Sequence, residues 1–304
     1  MHEAQNSQLQ QVLVQLDAVV LGKPKQVRLA VACLLARGHL LIEDLPGMGK
    51  TTLAEALARS CGLAFNRVHF TNDLLPADLS GVSVYEQGSG GFRFHPGPVF
   101  SQVLLADEIN RASPRTQSAL LEAMASGVVS VDGNSHPLPK PFFVIATQNG
   151  FEQTGTYPLP ESQLDRFLMR LSLGFPERKA ERALLLGEAN PVHQLQPRLQ
   201  PQDLLHLQQQ CQAITVQPTL VEYVLDLLAV SRRHSAASGL SPRAAQGLIS
   251  AARGWALLHQ RAYVTPDDVV AVFEAVAEHR LDGGRCEGGH RLSQRLLEQV
   301  DAIR

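Results

Sequence analysis

The chain has 304 residues, of which 44% are hydrophobic and 18% charged, an ordinary globular composition with length enough for two domains. No uninterrupted apolar stretch is long enough to cross a bilayer, and the polar start from Met1 to Gln11 lacks the features of a signal peptide, so a cytoplasmic protein without membrane insertion is expected. A formal net charge of −2, with no basic run longer than Arg232-Arg233-His234, argues against a nucleic-acid partner, and the spacing of the four cysteines (Cys33, Cys61, Cys211, Cys286) and 11 histidines implies neither a disulfide framework nor a zinc site.

Along the chain, Leu9, Val12, Leu13, Leu16, Val19 and Val20 recur at helical spacing. A second helix starts near Pro24, whose fixed φ suits a first turn, and carries Val27, Ala30, Val31, Leu34 and Leu35. Leu40-Leu41-Ile42 then reads as a buried strand. After it, the stretch Glu43-Asp44-Leu45-Pro46-Gly47-Met48-Gly49-Lys50-Thr51-Thr52 reads as a phosphate cradle that opens a helix with Leu53, Ala54, Leu57 and Ala58 on its buried face.

Physical chemistry dictates the residue types in that cradle. Gly47 and Gly49 let the backbone turn tightly and aim N–H groups at phosphate oxygens, while the helix presents its positive dipole end to the same anion. Lys50 is positioned to reach the β- and γ-phosphates and the Thr51 hydroxyl to ligate Mg2+, which makes ATP or GTP the expected ligand. One position departs from the usual loop: Asp44 stands six residues before the lysine, where glycine is customary.

A strand is expected near Phe65–Phe70. Val82-Ser83-Val84-Tyr85 and Phe92-Arg93-Phe94, joined across Gln87 to Gly91, form a glycine-turned hairpin inside what would otherwise be a helix. The apolar strand from Val103 ends in Asp107-Glu108, a pair suited to holding Mg2+ and polarising a water for in-line attack. A helix from Ser113-Pro114 to Ser126 follows, and then a second hairpin around Asp132-Gly133-Asn134. The strand Phe142–Ala146 ends in Thr147-Gln148-Asn149, and the Asn149 amide can bond a γ-phosphate or the attacking water. Strands alternating with helices up to about Gly174 predict a parallel sheet covered on both faces, with nucleotide at its carboxyl edge. Beyond Phe175-Pro176 only helical patterns remain, over 177–188, 201–213, 218–233, 242–260, 266–279 and 292–303, with Trp255, Leu257 and Leu258 as core.

In this order the motifs resemble the MoxR family of AAA+ ATPases over essentially the whole chain. The residues that carry the likeness are Val20-Leu21-Gly22, Glu43 to Thr52, Leu105 to Ala112, Ala146 to Asn149, Pro158 to Phe167, and Leu240-Ser241-Pro242-Arg243-Ala244. The resemblance implies an α/β fold: an AAA+ P-loop αβα domain with parallel sheet and inserted hairpins over 1–176, then a small all-helical lid over 177–304. It implies a homo-oligomeric ring, a hexamer, with ATP and Mg2+ between subunits. Leu21 and Gly22 would lie at the adenine end, Pro46, Gly47, Met48, Gly49, Lys50, Thr51 and Thr52 around the phosphates, and Thr51 and Asp107 on the metal. Glu108 would activate water and Asn149 sense the γ-phosphate. Arg166 matches the finger that enters the neighbouring subunit's site, with Arg170 one helical turn on as its competitor, and Arg243 matches a second sensor reaching from the lid to the phosphates. The work implied is remodelling or maturation of a client protein, one bearing a von Willebrand factor A domain. The interrupting hairpin is also similar to the motor subunits of magnesium and cobalt chelatases and to replicative helicases, and Asp44 leaves room for a slow nucleotide-dependent binding switch.

Overall fold

The computed structural model describes residues 2–88, 90–149, 155–234, 239–281 and 291–301; Ser89, Cys286 and the expected end of the last helix at Ile303 lie outside them. Two helices, α1 (His2–Val19) and α2 (Pro24–Leu35), lead into β1 (Leu40–Glu43) and, across the glycine loop, α3 (Lys50–Ser60). β2 (Phe65–His69) and α4 (Pro76–Ser80) precede the hairpin β3 (Gly81–Glu86) and β4 (Gly91–Pro96). Next come β5 (Val103–Asp107), α5 (Pro114–Ser126), the second hairpin β6 (Val128–Val131) and β7 (Asn134–Pro137), then β8 (Phe143–Gln148), α6 (Glu161–Leu164) and β9 (Met169–Leu171). The remainder is helical: α7 (Arg178–Leu185), α8 (Pro201–Ala213), α9 (Pro218–His234), α10 (Pro242–Leu258), α11 (Pro266–Leu281) and α12 (Leu292–Gln299).

Five parallel strands form the central sheet in the order β2-β5-β8-β1-β9. Near-continuous apolar runs suit this arrangement, because both faces of each inner strand are covered. Leu40, Ile42, Val103, Leu105, Phe143 and Ile145 join one core with α1, α2 and α3, while Leu41, Leu104, Ala106, Val144 and Ala146 join a second with Phe70, Leu120 and Leu121. Successive side chains on a strand point to opposite faces, so one hydrophobic run feeds both cores. The three-residue β9 is too short to show a period in sequence. It pairs with β1 and brings Arg170 opposite Leu41.

The helical lid shares the first core. Buried residues of α8 to α11, among them Leu207, Leu227, Leu248 and Phe273, belong to the same cluster as those of α2 and α3, so hydrophobic packing runs across residue 176. Gly254 of α10 approaches α2 so closely that a Cβ there would lie 2.5 Å from the Ala32 carbonyl oxygen. Among the described residues no helix is long and apolar enough to cross a membrane.

Candidate nucleotide site

The parallel strands deliver three sequence motifs to one edge of the sheet. At the tip of β1, Gly47 and Gly49 hold φ of 84° and 85°, in the left-handed region. A Cβ at either would meet nothing within 4 Å, so backbone angle rather than space demands glycine. Gly49 caps α3 with no side-chain cap bond, which leaves first-turn N–H groups for an anion. Thr51 and Thr52 sit half-buried in that turn, Pro46 is exposed, and Met48 packs against the core. Gly22 (φ 73°) abuts Ala180 of α7, and Leu21 beside it is half-buried.

Lys50 is buried, and its Nζ donates to the Asp44 carbonyl at 2.6 Å and to Asn149 Oδ1 at 3.1 Å. Burial lowers its pKa, against the pull of the carboxylates of Asp44, Asp107, Glu108 and Glu43. The other end of the same asparagine, Nδ2, donates to Glu108 Oε1 at 2.9 Å. One amide thus links the cation of the first motif to the acid of the second.

Asp107 is buried at the end of β5. Its Oδ1 accepts from Thr147 Oγ1 at 2.7 Å, and its Oδ2 accepts from the Arg67 guanidinium at 2.5 Å. Burial raises its pKa, but the Thr147 and Arg67 bonds and the charges of Arg67 and His69 outweigh it and hold the carboxyl below its ordinary value. Glu108 has a φ of 57°, a left-handed conformation that is uncommon outside glycine and is stabilised here by an N–H bond to Thr147 Oγ1 at 2.9 Å. Its Oε2 meets Arg111 Nε at 2.8 Å and faces His69 Nε2 at 3.6 Å. Asp107 and Glu108 are thus both held in place by neighbouring donors, and carboxylate oxygens of this kind can accept protons or hold a hard cation.

The three arginines fall elsewhere. Arg166, between α6 and β9, donates Nη1 to the Leu121 carbonyl of α5 at 2.6 Å. Arg170 is tied to Glu43 of its own β1 at 2.9 Å and is only 15% exposed at its side chain. Exposed Arg243 lies in the first turn of α10, capped by Ser241 Oγ accepting from Ala244 N. Its charge acts on His39 and Arg280, by the N-terminal end of β1, whereas Lys50 follows the C-terminal end of that strand.

Sequence reasoning passed over Thr147, Arg67, His69 and Arg111. Arg67 and His69 alternate on β2, whose register sets His69 against Asp107, and Arg111 falls three residues after Glu108. Those spacings were signals, but choosing β5 as the neighbour of β2 needed the fold. Asp44 also has a role that spacing did not suggest. Its carboxylate accepts from Ser172 Oγ at 3.0 Å and from the N–H groups of Leu173 and Gly174, so it clamps the exit of β9 beneath the glycine loop.

A sheet edge that gathers a lysine loop, a strand-end acid pair and a bridging asparagine, in a chain that continues into a helical lid, has the arrangement of the AAA+ class. The model of the ATPase family associated with various cellular activities (AAA) matches residues 39–169, and that of the AAA lid domain matches 230–300. Chaperone MoxR1 of Mycobacterium tuberculosis is 40% identical over 90% of this chain and 75% of its own, and protein YeaC of Bacillus subtilis is 45% identical over 88% and 84%. A crystal structure from Cytophaga hutchinsonii superposes with a TM-score of 0.88 at 33% identity, covering 99% of this chain and 96% of that one. The chain belongs to the MoxR family of AAA+ ATPases.

Proposed function

We propose that this protein binds and hydrolyses ATP with Mg2+ and uses the cycle, in a homo-oligomeric ring of six subunits, to remodel or mature a client protein bearing a von Willebrand factor A domain. In this reading the N–H groups from Gly47 to Thr52, together with Lys50, hold the phosphates, and Leu21 and Gly22 flank the adenine. Thr51 and Asp107 would hold Mg2+, which when bound neutralises charge on the phosphate oxygens. Glu108 takes a proton from the attacking water, and Asn149 senses the γ-phosphate.

The observation that carries the reading is the Asn149 amide, with Lys50 on one end at 3.1 Å and Glu108 on the other at 2.9 Å. A γ-phosphate bound by Lys50 competes for the same amide and frees Glu108 for water. Arg166 serves the neighbouring subunit's phosphates, and Arg243 is the second sensor reaching from the lid to the phosphates. Arg280 of the lid binds Asp165, next to Arg166, so the segment that carries Arg166 is held from α11. Arg170 is less suited to the finger, since Glu43 already holds it.

The test is a Glu108→Gln protein loaded with ATP and used to capture partners, alongside wild-type turnover with and without Mg2+. The reading requires Mg2+-dependent hydrolysis by the wild type and stable ATP retention by the variant. Severalfold, salt-sensitive stimulation by DNA would replace it with the helicase reading.

A further inference from the structure

The segment Asp165-Arg166-Phe167-Leu168 carries the arginine assigned above to the neighbouring site, and the lid holds its backbone. Arg280, in the last turn of α11, is 6% exposed at its side chain. Its Nε donates to Asp165 Oδ1 at 2.6 Å, and its Nη2 donates to the carbonyls of Phe167 at 2.7 Å and Asp165 at 3.2 Å. Its Nη1 donates to the Leu168 carbonyl at 3.2 Å and to that of Val276. Those five bonds use all five donors of a guanidinium. Beside it, buried His279 places Nε2 3.2 Å from the Phe167 carbonyl, and burial and the charges of Arg280 and Arg170 hold its pKa well below the ordinary value. The carbonyls immediately before and after Arg166 are therefore both fixed by α11.

A buried ion pair contributes little net stability, because desolvation offsets attraction. What a rigid five-donor fork supplies is direction. We infer that Arg280 is a positioning residue for the trans-acting Arg166, through which the lid of one subunit sets the hydrolysis rate of the next. The inference rests on the reading of Arg166 as the finger. Its physical basis is that Arg166 must enter another subunit's site from a short segment between α6 and β9, where a displacement of about 1 Å costs roughly 10²-fold in rate. The same α11 packs along α10, whose first turn carries Arg243.

Arg280→Lys keeps the charge and the stem but offers three donors in place of five, and it avoids stranding Asp165 in the way Arg280→Met would. The expected result is ATP KM within about twofold of wild type and kcat lower by roughly 10- to 10²-fold. Rings of two differently tagged subunits, purified on both tags, separate action through the neighbour from damage within the subunit. Arg280→Lys mixed with Glu108→Gln should exceed the sum of the two homogeneous rings severalfold, since an intact Glu108 then faces a well-held Arg166. The control is Arg166→Ala mixed with Glu108→Gln. Recovery in the control but not with Arg280→Lys, or an unchanged kcat in Arg280→Lys, overturns the inference. Failure of the control to recover overturns the assignment of Arg166, and the inference falls with it. Adding Arg280→Lys to Arg166→Ala should slow turnover no further.

Discussion

Thr147 ties together the two acids of the site, through the Asp107 carboxylate and the Glu108 backbone. Fully buried, it donates to Asp107 and accepts from the Glu108 N–H, so Thr147→Val strands two polar groups at a cost of about 1–3 kcal/mol each and removes a bond that holds the Asp107 carboxyl low. Turnover should fall more than tenfold in Thr147→Val and much less in Thr147→Ser, as steady-state kinetics and thermal melts of both variants would show. In the proposed roles, Lys50 acts on binding and Glu108 on chemistry. Lys50→Ala should abolish nucleotide binding, while Glu108→Gln should keep ATP bound and lower kcat by roughly 10²- to 10⁴-fold, the range of a general base. Equal loss of binding in both would overturn the role assignment. His39 gives a residue-level pH effect. Its Nδ1 accepts from the Val144 N–H, its Nε2 bonds the Met124 carbonyl, and burial lowers its pKa to about 4. The unfolded chain takes up this proton below about pH 6.5 and the folded one does not, so stability present above 6.5 is lost as pH falls towards 4. This one residue accounts for about 2 kcal/mol between pH 7 and 5, and His279 acts in the same direction. Denaturant unfolding at the two pH values should show a shallower loss in His39→Gln.

At the scale of elements, one feature holds the site and another bears on the proposed contact with a client. Asp44 joins the β1 exit to the β9 exit through charge-assisted bonds, so Asp44→Gly, which places the customary glycine in the loop, should destabilise the protein rather than improve it. A loss of about 1–3 kcal/mol, seen as a Tm lower by several degrees, is the expected outcome. An unchanged Tm would show that the clamp adds nothing. The hairpins form the second feature. Phe94 of β4 stacks on His136 of β7 at 3.9 Å and 17°, and Phe100 closes edge-on against Phe94, so the two hairpins share one aromatic contact. At the outer end Tyr85 and Phe92 meet edge to face while remaining 53% and 76% exposed. Exposed aromatics on a rigid ribbon suit contact with another protein. Shortening the Gln87 to Gly91 turn should leave basal hydrolysis largely unchanged and abolish client-dependent stimulation. Normal processing of the client by the shortened protein would reduce the hairpin to a surface feature.

For the molecule as a whole, completion of the ATP site by a neighbouring subunit, as proposed, would make activity a property of the assembly. Arg166→Ala should lower turnover by roughly 10³-fold or more while ATP affinity stays nearly intact, because a finger acts on charge that develops only during phosphoryl transfer. Comparing kcat with the nucleotide Kd measures this directly. The lid belongs to the same scale: its helices share a core with α2 and α3, with Gly254 seated against Ala32, so the lid is packed to the body of the subunit that carries Arg166.

The local code of this chain was legible wherever chemistry and period coincide within a short window. Glycines ahead of Lys50, acids closing the apolar strand at Asp107-Glu108, and Asn149 at the tip of the next strand each announce themselves within about ten residues, and the alternation of strands and helices already implies a parallel sheet. Contacts between segments distant in sequence were not legible. Sequence showed Asp44 as a broken motif, and only pairing of β9 with β1 made it a clamp. In the sequence Thr147 is only one member of a motif, and its bonds to Asp107 and Glu108 exist only because β5 and β8 lie side by side. Arg280 carries no signal in the sequence, and burial against Asp165, 115 residues away, makes it a fork. Period and composition report which face of an element is buried, whereas the partner it is buried against is chosen by the packing of the whole chain, and hydrogen bonds between segments exist only after that choice is made.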